Sequence, residues 1–152
     1  MNDPILNEWK RLGDFICQCG APHCTLIKLD RRLIHADLRL EEVRPELALE
    51  RLTSGYRCPM HNQISGGEPS SFHMRGMAMD LSCGAISLAD AFKMAEGLHV
   101  FGGIGLYISK HHPPFVHLDV GPQHRRWGNI DGFPCSGIHG LLKVLEEEER
   151  RI

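Results

Sequence analysis

The sequence predicts an α+β fold: a single domain with a small antiparallel sheet and flanking helices. Three observations predict it. Apolar residues recur at mixed three- and four-residue spacing from Lys28 to Val43, as on an amphipathic helix. Two later segments, GGIGLYI (102–108) and FVHLDVG (115–121), are rich in β-branched and aromatic residues, as strands are. No repeat, linker or composition break divides the chain, and helices stand before and between strands close enough to run antiparallel.

The elements follow in order. Residues 5 to 13 suit a short helix, and GDFICQCGAPHC (13–24) is loop-like. In the helix from Lys28, the apolar face is Leu29, Leu33, Ile34, Leu38, Leu40 and Val43; Pro45 ends or bends it. LERLTSGYR (49–57) alternates into a strand, with Gly55 permitting a close approach. CPMHNQISGGEPSS (58–71) is turn-rich. MAMDLSC (77–83) reads as a short strand. Ser87 caps the helix LADAFKMAEGLHV (88–100), with Asp90 in its first turn. SKHHPP (109–114) joins the last two strands as a hairpin, and its two prolines cannot donate to a ladder. Residues 138 to 152 form a helix whose EEEERR run is a solvated face.

Composition narrows the function. A chain of 152 residues can bury a real core. Its net charge of -2 gives no reason to expect nucleic acid or membrane insertion as a partner. No stretch approaches the roughly 20 apolar residues that span a bilayer. The N-terminal twenty residues hold no apolar core of signal-peptide length, so the expected origin is the cytoplasm. Ten histidines are many for this length and form no tag-like run. Cys17, Cys19 and Cys24 cluster, as in a disulfide or a small second zinc site, though C-x-C-x4-C lacks paired C-x2-C spacing.

The stretch SSFHMRGMAMDLSC (70–83) sets His73 and Asp80 seven positions apart, with Gly76 between them. On one helix they would stand roughly 10 Å apart along the axis. A single zinc ion needs donors about 2 Å away. A loop carrying His73, turned by Gly76 into a strand carrying Asp80, could bring both to one ion. Met77 and Met79 would then face the core, with Ala78 and Asp80 on the other face. In FVHLDV, His117 and Asp119 share a face while Val116, Leu118 and Val120 pack behind. His73, Asp80 and His117 thus form a two-histidine, one-carboxylate set with a fourth position open to water, as at a catalytic zinc ion. The bland alternative is a surface histidine, a turn-capping carboxylate and a strand histidine paired with Asp119.

Six segments occur together in order: SGYR (54–57), HN (61–62), SFHMRGMAMD (71–80), GGIGLY (102–107), FVHLDVG (115–121) and RRW (125–127). They resemble the zinc D-Ala-D-Ala carboxypeptidase family, whose fold is shared with the hedgehog signalling domain. Ser71, His73, Gly76, Ala78 and Asp80 match its S-x-H-x-x-G-x-A-x-D signature. The resemblance covers roughly residues 25 to 128, and specifically the branch with an H-x-D final strand. It implies a peptidase core over 25–137, preceded by a helix and Cys-containing loop (1–24) and followed by a helix (138–152), all in one domain.

By that resemblance His73, Asp80 and His117 would bind one catalytic Zn2+. Arg57 would hold a carboxylate of a peptidoglycan stem peptide, for which a guanidinium fork suits better than lysine. Ser71 would touch the substrate or orient the His73 loop. Many relatives carry an acid three positions before the last ligand; here Pro114 stands there. Asp119 then has two readings, as general base or as acceptor for the ring N–H of a ligand histidine. Tyr56 and Trp127 would line the cleft or pack, and His111 and His112 would lie in a solvated loop. The implied activity is hydrolysis of a cell-wall peptide bond, carboxypeptidase or endopeptidase. The chain is expected to be a monomer, and a phage or prophage lysin acting on the wall, a tail-associated protein and a host protein all suit it. Two alternatives share the scaffold: a zinc-holding binding module without activity, and a phage structural protein.

Overall fold

Helix α1 spans Arg31–Val43, and Asp30 starts it by accepting the Arg32 amide at 2.8 Å. This meets one of the donors that a helix start leaves without a partner. Leu33, Ala36 and Leu40 recur at three- and four-residue spacing and are buried along one face. The computed structural model describes residues 12–20, 24, 28–43, 51–84, 86–135 and 137–151. The helix expected over 5 to 13 lies outside them except at its end, where Leu12–Phe15 forms a 3₁₀ turn. The break expected at Pro45 also lies outside them.

Strand β1 is Arg51–Ser54, β2 Ala78–Ser82, β3 Gly103–Ile108, β4 Phe115–Asp119, β5 Arg125–Ile130 and β6 Phe133–Pro134. They form one sheet in the order β1-β2-β4-β3-β5-β6. Four neighbouring pairs are antiparallel, and β3 with β5 is parallel. The α+β class with a small sheet and flanking helices is as expected from sequence; the sheet, expected to be antiparallel, is corrected to a mixed one by the β3–β5 pair. β4 has β3 on one edge and β2 on the other. The next strand cannot pair with β4, so it crosses to the open edge of β3 and runs in the same direction as β3. The Arg125 amide, bonded to the Gly102 carbonyl at 2.8 Å, begins that pairing.

Residues 58–71, read as turns, contain a short helix, α2 (Pro59–Ile64). Cys58 stands at its N-cap in extended backbone, and Pro59 occupies the first turn, where its missing N–H costs nothing. Helix α3 (Leu88–Leu98) starts at Ser87, whose hydroxyl accepts the Asp90 amide at 3.1 Å. Helix α4 (Ile138–Arg150) buries Ile138, Leu141 and Leu142.

One face of the sheet carries Met79, Leu81, Ile104, Leu106, Val116 and Leu118, all at most 1% exposed. With buried residues of α1, α3 and α4 they form one apolar cluster. Each such side chain contributes roughly 1.5–3 kcal/mol on burial, which holds this face against the helices. The other face is left for chemistry. None of the described helices is long and apolar enough to cross a membrane.

Candidate metal centre

Strand register brings the polar face together. Asp80 stands opposite Ser54 on one side and His117 on the other, and His117 opposite Gly105, which faces Trp127. The adjoining row is Ala78, Asp119, Gly103 and Arg125. Since residues two apart in a strand share a face, Asp80, His117, Asp119, Arg125 and Trp127 project from the side opposite the core.

His73 reaches this face from a 3₁₀ turn, Phe72–Arg75. The Ser71 hydroxyl accepts the His73 amide at 3.2 Å and so caps the turn. Gly76 closes it at φ 68°, ψ 24°, the left-handed region. A Cβ there would also come within 2.2 Å of the Lys28 carbonyl oxygen. Glycine is required twice over, by backbone angle and by space.

Three ligand atoms converge. His73 Nε2 lies 3.2 Å from His117 Nδ1 and 3.3 Å from Asp80 Oδ1. His117 Nδ1 lies 3.0 Å from Asp80 Oδ1. The far nitrogen of each ring is engaged by an acceptor. His73 Nδ1 meets the Gly55 carbonyl at 2.7 Å, and a carbonyl can only accept, so Nδ1 carries the proton. His117 Nε2 meets Asp119 Oδ2 at 2.9 Å. With the far nitrogens so engaged, His73 Nε2 and His117 Nδ1 are the ring atoms left to give a lone pair to an ion once any proton there is lost. Donors bound tetrahedrally about 2.0–2.1 Å from one ion stand roughly 3.3 Å apart, close to the separations here.

Asp119 is fully buried. Its Oδ1 accepts the Gly103 amide at 3.1 Å and the Gly121 amide at 3.0 Å. Its Oδ2 accepts Arg125 Nη2 at 2.9 Å besides facing His117. Four contacts use its lone pairs, and they lie on the far side of the His117 ring from the ligand atoms. Of the two readings left open for Asp119, this geometry favours the acceptor that orients a ring over the base that takes a proton from water.

Burial would raise the Asp80 carboxyl, but the two imidazoles outweigh it and hold it well below the carboxylate range. Burial would lower His117, but the Asp119 and Asp80 carboxylates push it up to about 9. Burial likewise opposes ionisation of Asp119, which His117, the Gly121 amide and Arg125 nevertheless hold low.

Arg57 stands at the rim. Its Nη2 lies 3.6 Å from Asp80 Oδ2, and its Nη1 donates to Asn62 Oδ1 at 3.2 Å. Asn62 is itself buried and donates to the Glu68 carbonyl at 2.8 Å. The Arg57 Nε has no hydrogen-bond partner among the described residues. Trp127 packs at 5.2 Å between ring centroids against His117, and its indole N–H donates to the Tyr107 hydroxyl at 2.9 Å. Tyr56, by contrast, is buried away from this face, with Cys17 and Cys58. His111 and His112 lie in an exposed loop.

Sequence reasoning assigned no role to Asn62, Tyr107 or Arg125. The first two lie in HN and GGIGLY, segments that carried the resemblance, and Arg125 begins RRW. Strand parity alone would have placed Tyr107 on the face of Gly105, opposite His117.

Comparison with known proteins follows the same line. A family profile described as peptidoglycan L,D-endopeptidase MepK matches residues 10–127. The peptidoglycan L,D-endopeptidase MepK of Escherichia coli (strain K12) is 36% identical over 81 residues, which are 50% of this chain and 42% of that protein. The protein of the same name from Shigella flexneri matches to the same extent. The matched region thus spans less than half the length of these curated relatives.

Proposed function

Because this chain belongs to the family described as peptidoglycan L,D-endopeptidase MepK, we propose that it is a zinc-dependent peptidase of peptidoglycan stem peptides. The observation that carries the reading is the convergence of His73 Nε2, Asp80 Oδ1 and His117 Nδ1, each pair within 3.3 Å. Two imidazoles and one carboxylate suit zinc better than magnesium or calcium, which prefer all-oxygen shells. Bound there, the ion would supply a Lewis acid for the scissile carbonyl and lower the pKa of a water.

The chain's own groups do the rest. Gly55 and Asp119 fix the two imidazoles in the tautomers that offer lone pairs. Ser71 holds the turn that presents His73. Arg57, clamped by Asn62, offers a guanidinium beside the ligand set for a substrate carboxylate. Trp127 and Tyr107 wall the His117 side. The relatives' name, L,D-endopeptidase, favours an internal bond between residues of opposite chirality over a terminal D-alanine.

The test is metal analysis of the purified protein, then mass spectrometry of murein peptides after incubation. The expected result is loss of the ion at this ligand set in His73→Ala or His117→Ala, together with loss of the peptide product that wild type releases. A second reading, a zinc-holding binding module, is favoured by Pro114 and by the engaged lone pairs of Asp119. Zinc bound at the ligand set with every stem peptide intact would establish that reading and end the first.

A further inference from the structure

A second set of metal-ligand side chains lies apart from the first. The sulfurs of Cys17, Cys19, Cys24 and Cys58 all lie within 4.8 Å of one another. Three come from one short N-terminal stretch. The fourth is the N-cap of α2, 41 residues beyond Cys17. We propose that these four cysteines hold a structural zinc ion that ties the N-terminal segment to the back of the candidate active site.

The geometry suits that ion. Tetrahedral zinc with four thiolates about 2.3 Å away sets the sulfurs roughly 3.8 Å apart, which a mutually close set of four can meet. Two of the sulfurs already accept backbone N–H groups, as thiolates do. The Cys58 amide donates to Cys17 Sγ at 3.3 Å, and the His61 amide to Cys58 Sγ at 3.4 Å. The His61 ring adds a contact, its Nδ1 lying 3.4 Å from Cys17 Sγ. Cys17 and Cys58 are buried, and Cys19 and Cys24 partly so. Lys28 brings a positive charge to this side, 5.9 Å above the Tyr56 ring that packs on the cysteines.

An ion here would supply what apolar packing does not. Among the described residues the local cluster has Cys17, Tyr56 and Cys58 as its buried members and is separate from the main core. Yet it backs the Gly55–Arg57 segment. The Gly55 carbonyl fixes His73, the Tyr56 amide bonds the Phe15 carbonyl at 2.9 Å, and Arg57 stands beside Asp80. Where a core is this small, a metal crosslink is the usual substitute, and its binding energy is folding energy. The C-x-C-x4-C stretch is incomplete alone; Cys58 completes it only once β1 and α2 have folded beside it.

The inference does not depend on the peptidase reading and is tested where the two sites separate. Zinc per chain is measured in the wild type, in His117→Ala and in Cys19→Ser/Cys24→Ser. The expected contents are about two, one and one. Cobalt replaced into His117→Ala should give the near-ultraviolet thiolate charge-transfer band of a cysteine site. Should the double-serine variant fail to fold, the cobalt spectrum decides alone. The proposal is overturned by a cobalt complex without that band, by zinc that is wholly lost in His117→Ala, or by a denatured mass short of two or four hydrogens, which would mean disulfides.

Discussion

Asp119 meets His117 at Nε2, 2.9 Å away, on the side of the ring turned from Asp80 and His73. The carboxylate therefore acts through the ring on Nδ1, the atom turned to Asp80 and His73. Asp119→Asn tests this. The Gly103 and Gly121 amides both donate to Oδ1, so the asparagine oxygen would turn to them. Its NH2 would then face His117 Nε2, which would have to accept, moving the ring proton to Nδ1. The expected result is a fall of roughly 10- to 100-fold in metal affinity, measured by chelator competition, with the fold retained. Unchanged affinity with lost turnover would instead return Asp119 to the role of base.

The glycines of β3 make a second prediction. A Cβ on Gly103 would lie 2.1 Å from Asp119 Oδ2, and one on Gly105 2.3 Å from the Trp127 indole. Neither neighbour can yield without disturbing His117. Gly103→Ala and Gly105→Ala should each cost about 1–3 kcal/mol in denaturant unfolding and weaken metal binding. Gly97, exposed near the end of α3 with open space at its Cβ position, is the control. Gly97→Ala should be neutral or stabilise by up to about 1 kcal/mol. Equal losses at all three positions would mean that the space around β3 is not what matters.

These positions also show which features were legible in the sequence. The placement of Asp80, His117 and Asp119 follows from strand parity, and the turn at His73 from a glycine free to adopt left-handed backbone. Local rules suffice there. β5 was not legible, because Arg125, Arg126, Gly128 and Asn129 break the alternation that marks a strand. Its parallel pairing depends on which edge β4 leaves open, a property of the assembled sheet. Cys58 was separated from its three partners for the same reason: spacing along the chain carries no record of what β1 and α2 bring together.

Arg57 is predicted to matter by shape as well as charge. Its guanidinium is pinned by Asn62 and lies 3.6 Å from Asp80 Oδ2. Arg57→Lys keeps the charge and loses the planar fork. The expected outcome is metal content unchanged and kcat/KM for a stem peptide lowered about tenfold or more, the loss of one charge-assisted contact. Metal loss in Arg57→Lys would show that the residue supports Asp80, not the substrate.

The last prediction concerns the join between sheet and helix on the core side. Arg126 of β5 donates to Glu96 of α3 through Nε and, at 3.0 Å, through Nη2. Its Nη1 also donates to the Gly102 carbonyl at 2.6 Å, so the guanidinium is held where the β5 crossing begins. Arg126 lowers the Glu96 carboxyl from its ordinary 4.5 against an opposing effect of burial, and His124 and His99 add smaller attractions. A carboxyl depressed by folding contributes stability that is present above its unfolded pKa and lost as pH falls through the folded one. Glu96 is partly exposed, so water screens the pair and the contribution is about 1 kcal/mol. Glu96→Gln should therefore unfold more easily than wild type at pH 6–7, by about that amount in urea. The gap should be level above about pH 5 and shrink below about pH 4.5, where the unfolded chain takes up the proton that the native carboxylate resists. A gap that persists unchanged into acid would mean that Glu96 acts through its packing and not its charge.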